Sequence, residues 1–248
     1  MKIKKILSLI ALSTLLLAGC KKDGGSSGND DLFNEAGNIS VGNDASGAMY
    51  SILSRTYIGT SGSDFDEDHV TTAWFGNATA PKDAGTVKSN NEELITMGAI
   101  GFEWYFSQNM DDIFTSGNDV EWTVGGNSTN GITGFSHLDA NPFPTAITYN
   151  LPDKINVNNN FTLTHTNSGN SYAVLYRLMG YGGQVSKSVM GSSSSVTFTA
   201  GELQEVAGES GDPIGFLVMP VSIKSATYNG KKYYFVKQFQ NLRETVSQ

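Results

Sequence analysis

The sequence predicts an all-β protein: tandem antiparallel β-sandwiches, the second immunoglobulin-like, with one short helical turn. Three observations favour that fold class. Short runs of β-branched and aromatic residues alternate with clusters of Gly, Asn, Ser and Asp along the chain. Charged residues make up only 16% of the chain while aromatic residues reach 10%, a mixture typical of short strands joined by tight turns. No long amphipathic helical pattern is present, which disfavours an α/β enzyme scaffold.

The chain begins with a predicted secretory signal peptide, residues 1–19. Three lysines precede an apolar segment, residues 6–17, that is too short to span a bilayer as a mature helix. The segment closes with the letters LAGC, which resemble the lipobox of bacterial lipoproteins. The resemblance implies cleavage between Gly19 and Cys20 and lipidation of Cys20, the only cysteine in the chain.

Residues 20–37 are predicted to be the lipidated cysteine and a flexible tether, because they are rich in Gly, Ser and charged residues. The letters KKD after Cys20 resemble the signal that directs lipoproteins of the Bacteroidota to the outer face of the outer membrane. The chain as a whole resembles the lipid-anchored surface proteins of that group that carry Ig-like β-sandwich domains. We expect it to be anchored in the outer membrane by its lipid and to face the cell surface, with the periplasmic face as the alternative.

The charge of the chain argues against one class of partner. Removing residues 1–19 takes away three lysines and no acid, so the net charge moves from −8 to about −11. Such a surface repels phosphate backbones and anionic headgroups. We therefore expect no nucleic-acid partner, and membrane attachment through the lipid alone.

Residues 38–126 are predicted to form the first β-sandwich domain. Strands are predicted at 48–58, 69–76, 94–97, 102–107 and 120–124. Apolar and polar residues alternate in the last two. This pattern predicts half-buried strands, with Trp104 and Trp122 inside and Glu103, Tyr105 and Glu121 on the polar face.

Residues 127–144, rich in Asn, Gly, Thr and Pro, are predicted to link this domain to an Ig-like sandwich at residues 145–248. Thr199 with Glu202 three residues later predicts a capping box for one short helical turn. The pair Asn229-Gly230 between two long strand-like runs predicts a type I′ hairpin. One larger sandwich in place of two domains is the alternative.

The sequence contains none of the common catalytic motifs, and its three histidines are scattered with no thiol partner. Glu103 and Glu121, each beside a tryptophan, offer the pair of carboxylates that glycosidases use. Both glutamates are predicted on the polar face of their strands. This favours the interpretation that they are exposed acidic side chains beside buried tryptophan rings. A catalytic role for both is kept as the alternative hypothesis.

The densest acidic run is at residues 64–68. Asp64, Asp66 and Asp68 stand at alternate positions, as in the first half of a calcium-binding loop. However, His69 replaces the glycine and Phe75 replaces the final glutamate of that loop. A solvated acidic loop is the plainer interpretation, and Ca²⁺ binding at these aspartates is the alternative. We expect no other cofactor.

Several aromatic residues are candidates for ligand binding because flat rings suit stacking on sugars or peptides. Trp74, Tyr105 and Tyr181 are the candidates, and Tyr57 and Tyr149 are two further rings not assigned to a core. A site would require several of them on one exposed face.

Two functions of different class follow. The first is a non-enzymatic cell-envelope lipoprotein that acts in surface binding, adhesion or envelope assembly, with a glycan or protein ligand. The alternative is a polysaccharide-acting hydrolase that uses paired carboxylates.

Overall fold

The computed structural model describes residues 44–57, 64–78, 80–97, 104–107 and 119–248. Sixteen strands and one α-helix lie in these ranges. The all-β fold class is therefore confirmed. No helix in this described part is long and apolar enough to cross a membrane.

The strands fall mainly where β-branched and aromatic runs predict them. Their bounds are β1 Ala45–Tyr57, β2 Phe65–Asn77, β3 Ala80–Pro81, β4 Val87–Ser89, β5 Glu92–Glu93, β6 Ile95–Met97, β7 Trp104–Phe106, β8 Val120–Asn127, β9 Ile132–Asp139, β10 Lys154–Ile155, β11 Phe161–Thr164, β12 Ala173–Gly180, β13 Gly183–Met190, β14 Ser195–Phe198, β15 Pro213–Tyr228 and β16 Lys231–Ser247. The α-helix, α1, spans Ala200–Val206.

The predicted helical turn and the predicted hairpin are both present. The side chain of Thr199 accepts a hydrogen bond from the Glu202 backbone, and the Glu202 side chain accepts one from the Thr199 backbone. This is the capping box that the sequence predicts. Between β15 and β16, Asn229 and Gly230 have φ angles of 51° and 74°. Two successive residues with positive φ are what a type I′ turn requires.

Ten strands form one sheet that joins both halves of the chain. Its main path runs β13-β12-β15-β16-β1-β2-β7-β6, with β10 beside β16 and β3 beside β2. β1 lies parallel to β16 and antiparallel to β2. The first described strand therefore pairs with the last strand of the chain near the middle of the sheet.

Two smaller sheets accompany the ten-stranded sheet, and each contributes to one of two main cores. The first core combines the β11-β14 pair and α1 with the second half of the chain, and includes Leu163, Phe198, Leu203, Phe216 and Phe239. The second core combines the β5-β4-β8-β9 sheet with β1, β2, β7 and the start of β16, and includes Phe75, Trp122, Val124, Tyr233 and Phe235.

The predicted linker at residues 127–144 is wrong as a domain boundary. It contains β9, which pairs with β8 over seven registered positions. The two cores follow the predicted halves only approximately, because β16 supplies Phe235 to one and Phe239 to the other. The sheet passes through both halves, so the alternative of one larger sandwich fits the topology better than two separate domains.

The opposite face of the ten-stranded sheet is also apolar, and this corrects the predicted orientation of β7. Trp74, Tyr234 and Ala48 form one buried cluster on that face, and Trp104 packs beside them. Tyr105, predicted to lie on a polar face, is buried in the second core instead. Because both faces of this sheet are buried, alternation of apolar and polar residues along a strand does not identify a solvent-exposed face.

A buried lysine lies on β16 between the two cores. The Lys237 ammonium donates hydrogen bonds to the carbonyl oxygens of Asp139, at 2.7 Å, and Asn141, at 2.5 Å. It also lies 3.7 Å from the Asp139 carboxylate. Both side chains are almost fully buried, and burial lowers the pKa of Lys237 although Asp139 opposes the shift. The lysine thereby holds the segment that follows β9 in place against β16.

Replacing Lys237 with Met should destabilise the protein strongly, because the Asp139 carboxylate and two carbonyl groups lose their buried partner. We expect a loss of about 3–5 kcal/mol in the free energy of unfolding, the usual cost of breaking a buried pair. Urea denaturation of the chain from Asp31 to Gln248 measures it. Lys224→Met, at an exposed lysine of β15, is the matched control and should change stability by about 0.5 kcal/mol or less. Equal effects of the two variants would contradict the assigned role.

The stability of the fold should fall as the pH drops from about 7 to about 5.5. Burial lowers the pKa of His137, outweighing the opposing effect of Asp139, and burial also lowers the pKa of His165. The unfolded chain then binds more protons than the folded chain, so acid favours unfolding in this range. Denaturation at several pH values tests this. The double variant His137→Gln with His165→Gln should show a flatter profile, and an unchanged slope would count against these two histidines.

Candidate functional site: an arginine and aromatic cluster on β1, β2 and β16

The aromatic residues predicted to bind ligand separate into buried and exposed ones. Trp74 and Tyr105 are at most 3% exposed, so the hypothesis that they form a surface platform is wrong. Trp74 packs against Trp104, and the Tyr105 hydroxyl lies 3.0 Å from Asp83 and accepts a hydrogen bond from the Ala84 backbone. Tyr181 remains a candidate because it is 77% exposed in the turn between β12 and β13.

The paired carboxylates of the hydrolase hypothesis are not brought together by the described structure. Glu121 is exposed on β8, between the buried Val120 and Trp122, as the alternation predicts. Glu103 lies outside the described residues. Its neighbour Trp104 belongs to the ten-stranded sheet, whereas Glu121 belongs to the four-stranded sheet. No observation in the described residues therefore favours the hydrolase.

The acidic run lies at the start of a strand instead of forming a loop. Phe65 is the first residue of β2, so Asp66 and Asp68 lie in the strand and Asp64 immediately precedes it. Alternate residues of a strand are about 7 Å apart, too far for all three to reach one ion at bonding distance. Among the described residues no group of three His, Cys, Asp or Glu side chains could hold a metal ion. Gly19 and Cys20 lie outside the described residues, so the predicted cleavage and lipidation remain predictions.

The structure instead brings together a group that the sequence did not reveal, centred on Arg55 of β1. Arg55 lies directly opposite Glu67 of β2, and its Nε donates a 2.6 Å hydrogen bond to the Glu67 carboxylate. The guanidinium carbon lies 4.6 Å from the centre of the Phe65 ring and 5.2 Å from that of Phe239. Arg55 keeps 26% of its side chain exposed, and Phe65 is 39% exposed.

A second arginine continues the same stack toward the interior. Tyr57 lies opposite Phe65, with ring centres 5.2 Å apart. The Arg243 guanidinium of β16 lies 3.6 Å from the Tyr57 ring centre and 5.5 Å from that of Tyr149. Guanidinium groups stack well on aromatic faces. We call the set of Arg55, Tyr57, Phe65, Glu67, Tyr149, Phe239 and Arg243 the arginine–aromatic cluster.

The two ends of this cluster differ in accessibility. Arg243 and Tyr149 are buried, and the Tyr149 hydroxyl donates to the carbonyl of Phe216 at 2.5 Å. That end serves packing. Phe65 and Arg55 reach solvent, so the outer end can accept a ligand.

Electrostatics keep Glu67 ionised in this cluster. Burial raises its pKa, but hydrogen bonds from Arg55 and His69 outweigh burial, and the net pKa is lowered. A general acid in hydrolysis needs the opposite shift. Glu67 thus acts as a fixed partner that orients the Arg55 guanidinium.

The orientation leaves part of that guanidinium available. The Glu67 carboxylate accepts its hydrogen bond from Nε, and among the described residues no hydrogen bond from the two terminal nitrogens of Arg55 is found. An arginine presents its donors in a rigid planar fork that matches a carboxylate in a bidentate arrangement. The outer end can therefore bind a carboxylate on Arg55 and an apolar or sugar face on Phe65.

The sequence offers two weak signals for this cluster, Tyr57 and Tyr149, which are rings that it does not assign to a core. The arginines could not be found in this way because Arg55 and Arg243 are 188 positions apart in the chain. Their proximity depends on the parallel register of β1 and β16, in which Arg55 pairs with Asn241.

Comparisons with known proteins add little to this description. No family model matches the chain, and no curated protein matches it. A chain of the "Crystal structure of Dpr11 IG1 bound to DIP-gamma IG+IG2" is similar, with 10% sequence identity, 77% of this chain and 96% of that chain covered, and a TM-score of 0.20. A TM-score of this size carries no argument about fold or function.

Replacing Arg55 with Met should raise the pKa of Glu67, because the carboxylate loses its strongest charged partner while it stays partly buried. An NMR titration of the Glu67 carboxyl carbon measures the shift. Lys82→Met, at an exposed lysine, removes the same charge elsewhere and should leave that titration unchanged. A Glu67 pKa that does not move in the Arg55 variant would contradict the pairing.

Proposed function

We propose that this chain is a non-enzymatic binding module, anchored in the outer membrane by a lipid on Cys20, that captures an acidic glycan at the outer end of the arginine–aromatic cluster. The anchor and its location rest on the sequence alone: the LAGC ending, the single cysteine and the KKD letters that follow it. We expect the predicted tether, residues 20–37, to hold the folded part away from the membrane surface.

One observation supports the binding site: Glu67 orients Arg55 through Nε beside the exposed Phe65 ring, and among the described residues no hydrogen bond from the terminal nitrogens of Arg55 is found. A uronic or other acidic sugar carries both complementary features. Its carboxylate suits the guanidinium fork, and its ring carbons suit the aromatic face.

We expect the charge of the protein to make this site selective for acidic ligands. The chain is acidic overall, so an anionic ligand is repelled from most of the surface and gains from contact only where an arginine is accessible. A neutral sugar would keep the contact with Phe65 and lose the ion pair. Selectivity for acidic over neutral glycans is therefore expected to depend on Arg55.

A binding role fits the chemistry of the cluster better than catalysis does. Glu67 is held ionised by its partners, and the sequence contains none of the common catalytic motifs. The guanidinium of Arg55 can also bind the carboxylate at the C-terminus of a protein. A protein ligand at the same site is therefore the alternative to a glycan.

A glycan array tests the proposal, with the chain from Asp31 to Gln248, which contains every described residue. We expect glycans with uronic or sialic acid to bind in preference to their neutral counterparts, and 150 mM salt to weaken binding only partly, because the site is half-buried. Arg55→Met should reduce binding of acidic glycans by about tenfold or more, the cost of a charge-assisted pair. Phe65→Ala should reduce it as well.

Lys82→Met is the matched control, because it removes a positive charge from the exposed surface away from the cluster. Equal binding of acidic and neutral glycans, or an Arg55 variant that binds like the wild type, would overturn the proposed site. Binding of carboxyl-terminal peptides but no glycan would support the protein-ligand alternative and overturn the glycan.

A further inference from the structure

The outermost strand of the ten-stranded sheet, β13, has an open edge. Within the described residues β13 pairs with β12 alone, and it ends the sheet. The strand has eight residues and most of them are exposed. Natural proteins protect such edges with proline, bulges, charged side chains or a covering helix or loop. β13 contains no proline, and its register with β12 is unbroken from Gly183 to Met190.

The register shows which backbone groups face outward. The Gly191 backbone N–H donates to the Tyr172 carbonyl one position beyond the last registered pair, so the peptide group between Met190 and Gly191 directs its N–H toward β12 and its C=O toward the open edge. Hydrogen-bonded and non-bonded pairs alternate. The odd-numbered residues of β13 therefore bond to β12, and Gln184, Ser186, Ser188 and Met190 direct their N–H and C=O groups to the open edge.

Charge favours a second copy of this chain at that edge. The segment from 183 to 201 contains no acidic residue, in a protein whose net charge is −8. Its one charge, Lys187, is directed to the Glu202 carboxylate at 2.8 Å and the Thr197 carbonyl at 2.8 Å. The outer edge of β13 is thus neutral, and two copies can approach there without opposing their acidic surfaces.

We propose that two copies of this chain pair through β13, antiparallel and about a two-fold axis at Ser186. In this register Ser186 pairs with Ser186 of the second copy, Gln184 with Ser188, and Val185 with Lys187. Each outward N–H and C=O of Gln184, Ser186 and Ser188 then gains a partner, and no like charges lie directly opposite. The two ten-stranded sheets become one continuous sheet. This inference is independent of the glycan site.

The same register explains two exposed apolar side chains at the ends of β13. Met190 is 57% exposed, and Tyr181 is 77% exposed in the adjoining turn. The axis at Ser186 places Met190 of one copy opposite Gly182 of the other, one residue from Tyr181. A methionine sulfur and an aromatic ring make a favourable contact, and the two-fold axis forms it twice.

A disulfide trap tests the pairing, because an eight-residue edge buries less area than a standard interface and the free dimer is expected to be weak. The chain from Asp31 to Gln248 has no cysteine, so Ser186→Cys introduces a single thiol. In the proposed register the two thiols are opposite each other. Under mild oxidation, non-reducing gels should show a disulfide-linked dimer.

Ser188→Cys is the matched control on the same edge. In the proposed register the two copies of that residue are about 13 Å apart along the strand, beyond the about 7 Å that a disulfide tolerates. We expect it to stay monomeric under the same conditions. Equal crosslinking of the two variants, or none in either with circular dichroism showing both folded, would overturn the proposal.

A second measurement distinguishes edge pairing from nonspecific hydrophobic association. Adding Met190→Ser or Tyr181→Ala to Ser186→Cys should slow dimer formation, whereas Leu138→Ser should not, although Leu138 of β9 is 60% exposed. Equal slowing by the Leu138 change would contradict the register.

Discussion

The parallel pairing of β1 with β16 is the constraint on which the rest of the structure depends. It joins residues near the start and the end of the described chain, in register from Ala48 with Tyr234 to Thr56 with Leu242. Parallel neighbours need a long connection between them, and here most of the chain is that connection. β16 can then supply side chains to both main cores, with Lys237 between them. The two halves share one sheet because of this pairing.

The candidate site is a direct product of that register. Arg55 lies on β1 between its cross-strand partner Glu67 and its neighbour Phe239 on β16. Partners on the two neighbouring strands hold the Arg55 side chain in place before any ligand arrives. Less conformational entropy is therefore lost on binding. The strands β12 and β15 separate the open edge at β13 from the strands of the candidate site, so ligand capture and self-association use separate surfaces.

Local chemistry made much of the secondary structure predictable. The capping box of Thr199 and the Asn229-Gly230 turn depend on neighbouring residues, and both are present. The burial of Tyr105 and Trp74 was not predictable, because a sheet covered on both faces removes the alternation that marks an exposed side. The sequence does not predict the strand β9, because its Gly and Thr content resembles that of a loop. Arg55 had no signal at all, since its partners come from strands far apart in sequence.

The most direct test of this account is differential scanning calorimetry of the chain from Asp31 to Gln248. If β1 and β16 join the two halves into one sheet, both cores should unfold together. The account predicts a single transition, with the calorimetric enthalpy equal to the van't Hoff enthalpy. Two separable transitions, or a fragment of residues 145–248 that melts as it does within the whole chain, would contradict the shared sheet.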